Sequence, residues 1–111
     1  RVMDGNTAEF IGSGDMAVLA TPAMIALMEN AAMLAVALHL DEGDTTVGTE
    51  IATSHIKASK VGNTISAIAE LTAIDGRKLS FKIEAYDGDN LIGEGQHTRF
   101  IVNREKFLAK L

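Results

Sequence analysis

One residue of this chain has a type and a setting suited to chemistry, the carboxylate of Glu29. Glu29 is the only charged residue between Thr21 and Leu38, a stretch otherwise made almost entirely of Ala, Leu, Met, Ile and Val. Such a stretch belongs inside a protein, where an ionised carboxylate is costly unless something pairs with it or uses it. His55, in the alternating region further on, and Thr21, just before Pro22, are further residues of catalytic type. A carboxylate can attack a carbonyl carbon or take a proton from water, and a histidine can orient it and protonate a leaving group. Each residue also has a plainer role: Glu29 as a buried carboxylate satisfied by backbone amides or a lysine, His55 as a half-buried strand residue, and Thr21 as a helix N-cap worth about 1 kcal/mol. Eight helical residues rise by about 12 Å, so Thr21 and Glu29 should not touch within one subunit.

The elements that must position these groups are legible in the hydrophobic pattern. Thr21 reads as the N-cap and Pro22 as the first residue of a long helix, which ends at the polar loop Asp41-Glu-Gly-Asp44. Met24, Met28 and Met33 fall at near-helical spacing and read as core. From residue 47 the period changes to two: Leu79, Phe81, Ile83 and Ala85 alternate with Ser80, Lys82, Glu84 and Tyr86. Strands are predicted at about 46–57, 62–74, 78–87 and 90–103, in a meander, with a further short strand before residue 12. Turn signals at Val61-Gly-Asn63, Ile74-Asp-Gly-Arg77 and Asp87-Gly-Asp-Asn90 separate them. Strict alternation puts His55 on the same strand face as Val47, Thr49, Ile51 and Thr53. The charged tail from Asn103 to Leu111 is expected to add a helical turn or two.

A helix apolar nearly all round cannot lie on one face of a flat sheet without wetting its far side. Either the sheet curls around it or a second subunit covers it. The expected fold is therefore α+β and of the hot-dog type, a long central helix wrapped by a curved antiparallel sheet of about five strands. One domain over residues 1–111 is expected, and a homodimer, or a tetramer, covers what one sheet leaves exposed.

Composition narrows the function classes. A net charge of −5 gives no electrostatic claim on nucleic acid or an anionic membrane, and points to a small-molecule partner. Cysteine is absent, which excludes disulfides, thiolate catalysis and cysteine-based zinc sites. His39, His55 and His97 lie 16 and 42 residues apart, without metal-motif spacing, so no metal is expected, and His39 and His97 read as structural. Pro22, Glu29 and Asn30 interrupt the apolar stretch and argue against a membrane span. Nothing in the chain resembles a signal peptide, and a cytoplasmic setting is expected.

The segments Thr21-Pro-Ala-Met-Ile-Ala-Leu-Met-Glu-Asn-Ala31, Val47-Gly-Thr-Glu-Ile-Ala-Thr-Ser-His55, Gly76-Arg-Lys-Leu-Ser80, Ile92-Gly-Glu-Gly-Gln-His-Thr-Arg99 and Glu105-Lys-Phe107 resemble the hot-dog acyl-CoA thioesterases. The likeness is greatest to the subgroup containing the fluoroacetyl-CoA thioesterase. It implies hydrolysis of an acyl-CoA thioester, with coenzyme A entering as part of the substrate and no separate cofactor. It also implies catalytic roles for the matching Thr21, Glu29 and His55, and substrate contacts at Gly48 and Asn30. The fluoroacetyl-specific member carries a tryptophan where this chain has Asn30, and phenylalanines where this chain has the plain stretch from Gly12 to Ala20. Fluoroacetyl selectivity is therefore not implied. Lys57, Lys60, Arg99 and Arg104 are candidates for the phosphates of coenzyme A. Gly93 and Gly95 are expected to let their strand pass close to the helix, or to bend there. A non-catalytic thioester-binding protein is the alternative. An enoyl-thioester hydratase stands further back, because the Gly-Asp-x-Asn-Pro-x-His stretch that such hydratases carry is absent.

Overall fold

The computed structural model describes all residues from Arg1 to Leu111. The long helix, α2, spans Thr21–Ala37, after a short helix α1 at Ala8–Ile11, and a helical turn α3 at Arg104–Ala109 closes the chain. Four strands follow α2: β1 Asp44–His55, β2 Ile65–Asp75, β3 Lys78–Asp87 and β4 Asn90–Asn103. The hot-dog arrangement expected from the sequence is present with four strands, not about five. The segment before residue 12 forms a short 3-10 turn and α1, and contributes only an isolated bridge from Thr7 to Leu19. Thr7 caps α1 by accepting a hydrogen bond from the Phe10 N–H, which draws that segment into a helical turn.

All neighbours in the sheet are antiparallel, in the order β1-β4-β3-β2. Strands β2, β3 and β4 do form a meander. Gly76 and Gly88, both at positive φ, sit in its tight turns. Strand β1, however, pairs with β4 rather than β2. The chain after His55 does not turn back on itself: Ser59 and Lys60 pair with Leu19 and Val18 before β2 starts on the far side of the sheet.

Helix α2 buries one i, i+4 row, Met24, Met28, Ala32 and Val36. The row packs on Leu79, Phe81, Ile83 and Ala85, the inward face of β3, together with Ile65 and Ile92. Burial of each large side chain here contributes about 1.5–3 kcal/mol. The rest of the helix is less covered than its composition led us to expect. Leu27, Leu34 and Leu38 are exposed in the single chain, because the sheet meets only one side of the helix. No helix is long and apolar enough to cross a membrane.

Gly93 lies close to the helix as expected, whereas the close approach at Gly95 is to the neighbouring strand β1 and not to the helix. A Cβ on Gly93 would stand 2.6 Å from the Met24 sulfur, and one on Gly95 would overlap the backbone of β1 at Ala52 and Thr53. A bulge at Thr49 shifts the β1 register between Gly48 and Glu50. It reverses the alternation, so His55, Thr53 and Ile51 share the helix-facing side with Gly48 and Thr46 rather than with Thr49 and Val47. The cross-strand pairs agree: Gly48 opposes Arg99, Ile51 opposes His97 and His55 opposes Gly93.

Candidate active site

Two polar clusters lie on the concave side of the sheet, one at each end of β1. The first joins Thr21 to His55. The N-cap of α2 is Ala20, not Thr21, and Thr21 is the first helical residue. Its hydroxyl is therefore not spent on capping; it lies 2.8 Å from His55 Nδ1 in hydrogen-bonding geometry. The other ring nitrogen, Nε2, is buried and has no partner. Burial pushes the His55 pKa below the ordinary histidine value. The Lys57 backbone opposes that shift weakly, without making a hydrogen bond of good geometry. His55 is thus neutral at pH 7 and able to accept a proton. The pair borders a cavity of about 210 Å³ lined also by Ala8, Val18, Lys57 and Ala58.

The second cluster surrounds Glu29. Its Oε2 lies 3.6 Å from Nη1 of Arg99, too far for a direct hydrogen bond but close enough for an ion pair. Arg99 is 6% exposed, and its guanidinium is held from the side: Nε donates to Thr46 Oγ1 at 2.8 Å and Nη2 to the Thr46 carbonyl at 3.0 Å. Nη1 also meets His97 Nε2 at 3.2 Å. Desolvation pushes the Arg99 pKa down and the Glu29 carboxylate opposes that shift, while the guanidinium stays charged. Gly48 completes the cluster. A Cβ there would stand 2.7 Å from Glu29 Oε2, 3.2 Å from His97 Cε1 and 3.3 Å from Arg99 Nη1, so only glycine leaves this space open. Glu29, Gly48, Glu50, Ile51 and His97 line a separate cavity of about 240 Å³.

The single chain thus brings together Thr21 with His55, and Glu29 with Gly48, but places the two sets at different cavities. Glu29 and His55 do not pair within one chain. Glu29 is also not deeply buried, with 41% of its side chain exposed on the flank of the helix that the sheet leaves open. Asn30 is exposed beside it. His97 and Arg99, read from the sequence as structural and as a phosphate ligand, are the residues next to Glu29. Arg99 is inward and engaged, and so does not present itself to a phosphate at the surface. The signal that finds them is their place in the inward row of β4, where Gly93, Gly95, His97, Arg99 and Ile101 alternate toward the helix. Polar side chains in a buried row need a stated purpose. The described chain holds no cluster of His, Asp or Glu suited to a metal.

Comparison with known proteins bears on the family and the fold. The family model described as fluoroacetyl-CoA-specific thioesterase matches residues 2–105. The fluoroacetyl-CoA thioesterase of Streptantibioticus cattleyicolor is 42% identical over 94 residues, 85% of this chain and 68% of that protein. A solved structure of the fluoroacetyl-CoA thioesterase FlK superposes with a TM-score of 0.91 at 36% identity, covering 98% of this chain and 85% of the other. A Thermus thermophilus member of the thioesterase superfamily superposes with a TM-score of 0.89 at 26% identity, over 98% of this chain and 81% of the other. A match that runs through both clusters and nearly the whole chain shows that the protein belongs to the fluoroacetyl-CoA-specific thioesterase family.

Proposed function

We propose that the protein hydrolyses an acyl-CoA thioester to the free acid and coenzyme A, using Glu29 with His55 and Thr21 in support. The observation that carries this reading is the Thr21–His55 pair, whose unpartnered Nε2 is buried at a cavity while the hydroxyl is free of any capping duty. In the reaction the oxygen of water becomes bonded to the thioester carbonyl carbon and the C–S bond breaks. Glu29 takes the water's proton, or itself adds to the carbonyl carbon to give a mixed anhydride that water then opens. The proton released by water reaches the departing thiolate by way of His55, which is neutral at rest and holds that proton only in transit. Purified protein assayed for free-thiol release across acetyl to palmitoyl and aromatic acyl-CoAs tests the reading. Release from none of them, with acyl-CoA still binding in calorimetry, would leave a sequestering protein. Asn30 and the stretch from Gly12 to Ala20, without the aromatic side chains of the fluoroacetyl-specific member, favour acyl groups other than fluoroacetyl.

The two clusters become one site if a second copy lies along α2, with Glu29 of one subunit facing Thr21 and His55 of the other. The exposed Leu27 and Leu34, and the open flank of Glu29, support this dimer. Mixing decides it. Glu29→Gln and His55→Ala dimers, each inactive alone, should regain activity when subunits are exchanged, because one of the two sites in a mixed dimer is then intact. Sites contained within single subunits would stay dead on mixing.

Lys57 and Lys60 give the substrate's phosphates a place to land. Both line a cavity of about 420 Å³ that shares Val18, Lys57 and Ala58 with the cavity of Thr21 and His55. Exposed ion pairs are modest, so the Lys57→Ala, Lys60→Ala double variant should raise KM for acyl-CoA by roughly threefold to tenfold with little change in kcat. KM for the matching acyl-pantetheine, which lacks the nucleotide phosphates, should stay put. An equal rise for both substrates would remove the lysines from phosphate binding.

A further inference from the structure

We infer that His97 is a positioning residue whose ring holds the Arg99 guanidinium beside Glu29 without letting the two close into a direct hydrogen bond. This inference rests on the proposed role of Glu29. The ring is 2% exposed, and its Nδ1 lies 2.8 Å from the backbone carbonyl of Glu50, the first paired residue after the β1 bulge. A carbonyl only accepts, so Nδ1 carries the hydrogen. In the neutral ring Nε2 is then an acceptor, and it takes one hydrogen of Arg99 Nη1 at 3.2 Å. The tautomer follows from the partners, with β3 offering the ring only Phe81, its centroid 6.2 Å away.

With Thr46 taking Nε and Nη2, the guanidinium has three anchors, none of which is Glu29. The carboxylate makes no hydrogen bond and stays 3.6 Å from its countercharge. Such a carboxylate is neutralised electrostatically, yet its lone pairs remain available to water or to a carbonyl carbon. Without the His97 anchor, Nη1 is free to swing onto Glu29 and occupy the oxygens that the reaction needs. The charged groups facing the ring are Arg99 from β4 and Glu29 from α2.

The test compares His97→Leu, which removes both ring contacts, with His97→Gln, whose amide oxygen can replace Nε2 as the acceptor. In His97→Leu, kcat should fall by roughly tenfold to a hundredfold with KM nearly unchanged, the loss expected for a small displacement of a reacting group. His97→Gln should recover most of it. Nitrogen-15 NMR of the wild-type imidazoles should show His97 protonated at Nδ1 and not at Nε2. An Nε2-protonated ring overturns the arrangement whatever the protein acts on. The expected tautomer, with a folded His97→Leu variant that keeps its kcat or with a His97→Gln variant as impaired as His97→Leu, overturns the positioning role. Absence of thioester turnover in the wild-type protein would instead remove the hydrolase reading, and this catalytic role with it, while the tautomer still decides the geometry.

Discussion

Glu29→Gln is expected to lower kcat for acyl-CoA hydrolysis by about 10²- to 10⁴-fold, the range spanned when a positioned general base is removed. The substitution keeps the size and shape of the side chain and removes only its charge and basicity. Stability should hardly change. The Glu29 carboxylate accepts no hydrogen bond in the chain, and Arg99 keeps Thr46 and His97 when its countercharge goes. Its salt bridge is partly exposed on the Glu29 side, so its loss should weaken the fold little. Free-thiol release and thermal unfolding, measured on the same preparations, separate the two effects. A folded variant with undiminished turnover would exclude Glu29 from the chemistry.

The largest effect on stability is expected at Gly95. A Cβ there would run into the main chain of β1 at Ala52 and Thr53, and a strand backbone cannot swing aside as a side-chain tip can. Gly95→Ala should therefore cost about 1–3 kcal/mol or more, as overpacking does. Each kcal/mol corresponds to roughly 4–8 °C in Tm for a domain near this size. Gly5→Ala makes the control: nothing lies within 4 Å of a Cβ there, and its Tm should stay near wild type. If the two variants melted together, β1 and β4 would have to separate more easily than their register indicates.

Much of this architecture could be read from the chain because it depends on local periodicity. The apolar run after Pro22 and the alternation through Leu79, Phe81, Ile83 and Ala85 are repeated signals, and the Asp75-Gly76 and Asp87-Gly88 turns have backbone demands that glycine meets. The neighbour of β1 was less legible, since pairing with β4 rather than β2 is decided by where a long connection leads. The start of α2 lies one residue earlier than its N-cap signal predicts, and that single step makes Thr21 a partner for His55 in place of a cap. The surroundings of Glu29 were hidden for a different reason. His97 and Arg99 lie far from it in sequence and reach it only through strand order, and no residue near Glu29 announces them.

The bulge at Thr49 makes chain length itself a determinant of the site. His55 lies seven positions after Gly48, an odd offset that in an unbroken strand sends their side chains to opposite faces. The extra residue restores a common face, so what matters about position 49 is that it is counted. Any side chain that tolerates an outward kink could stand there, whereas removing the residue would turn Ile51, Thr53 and His55 outward together. Substitution and deletion at this one position therefore fall at opposite ends of the range of tolerance, and a comparison of relatives that scores residue types alone would pass over it.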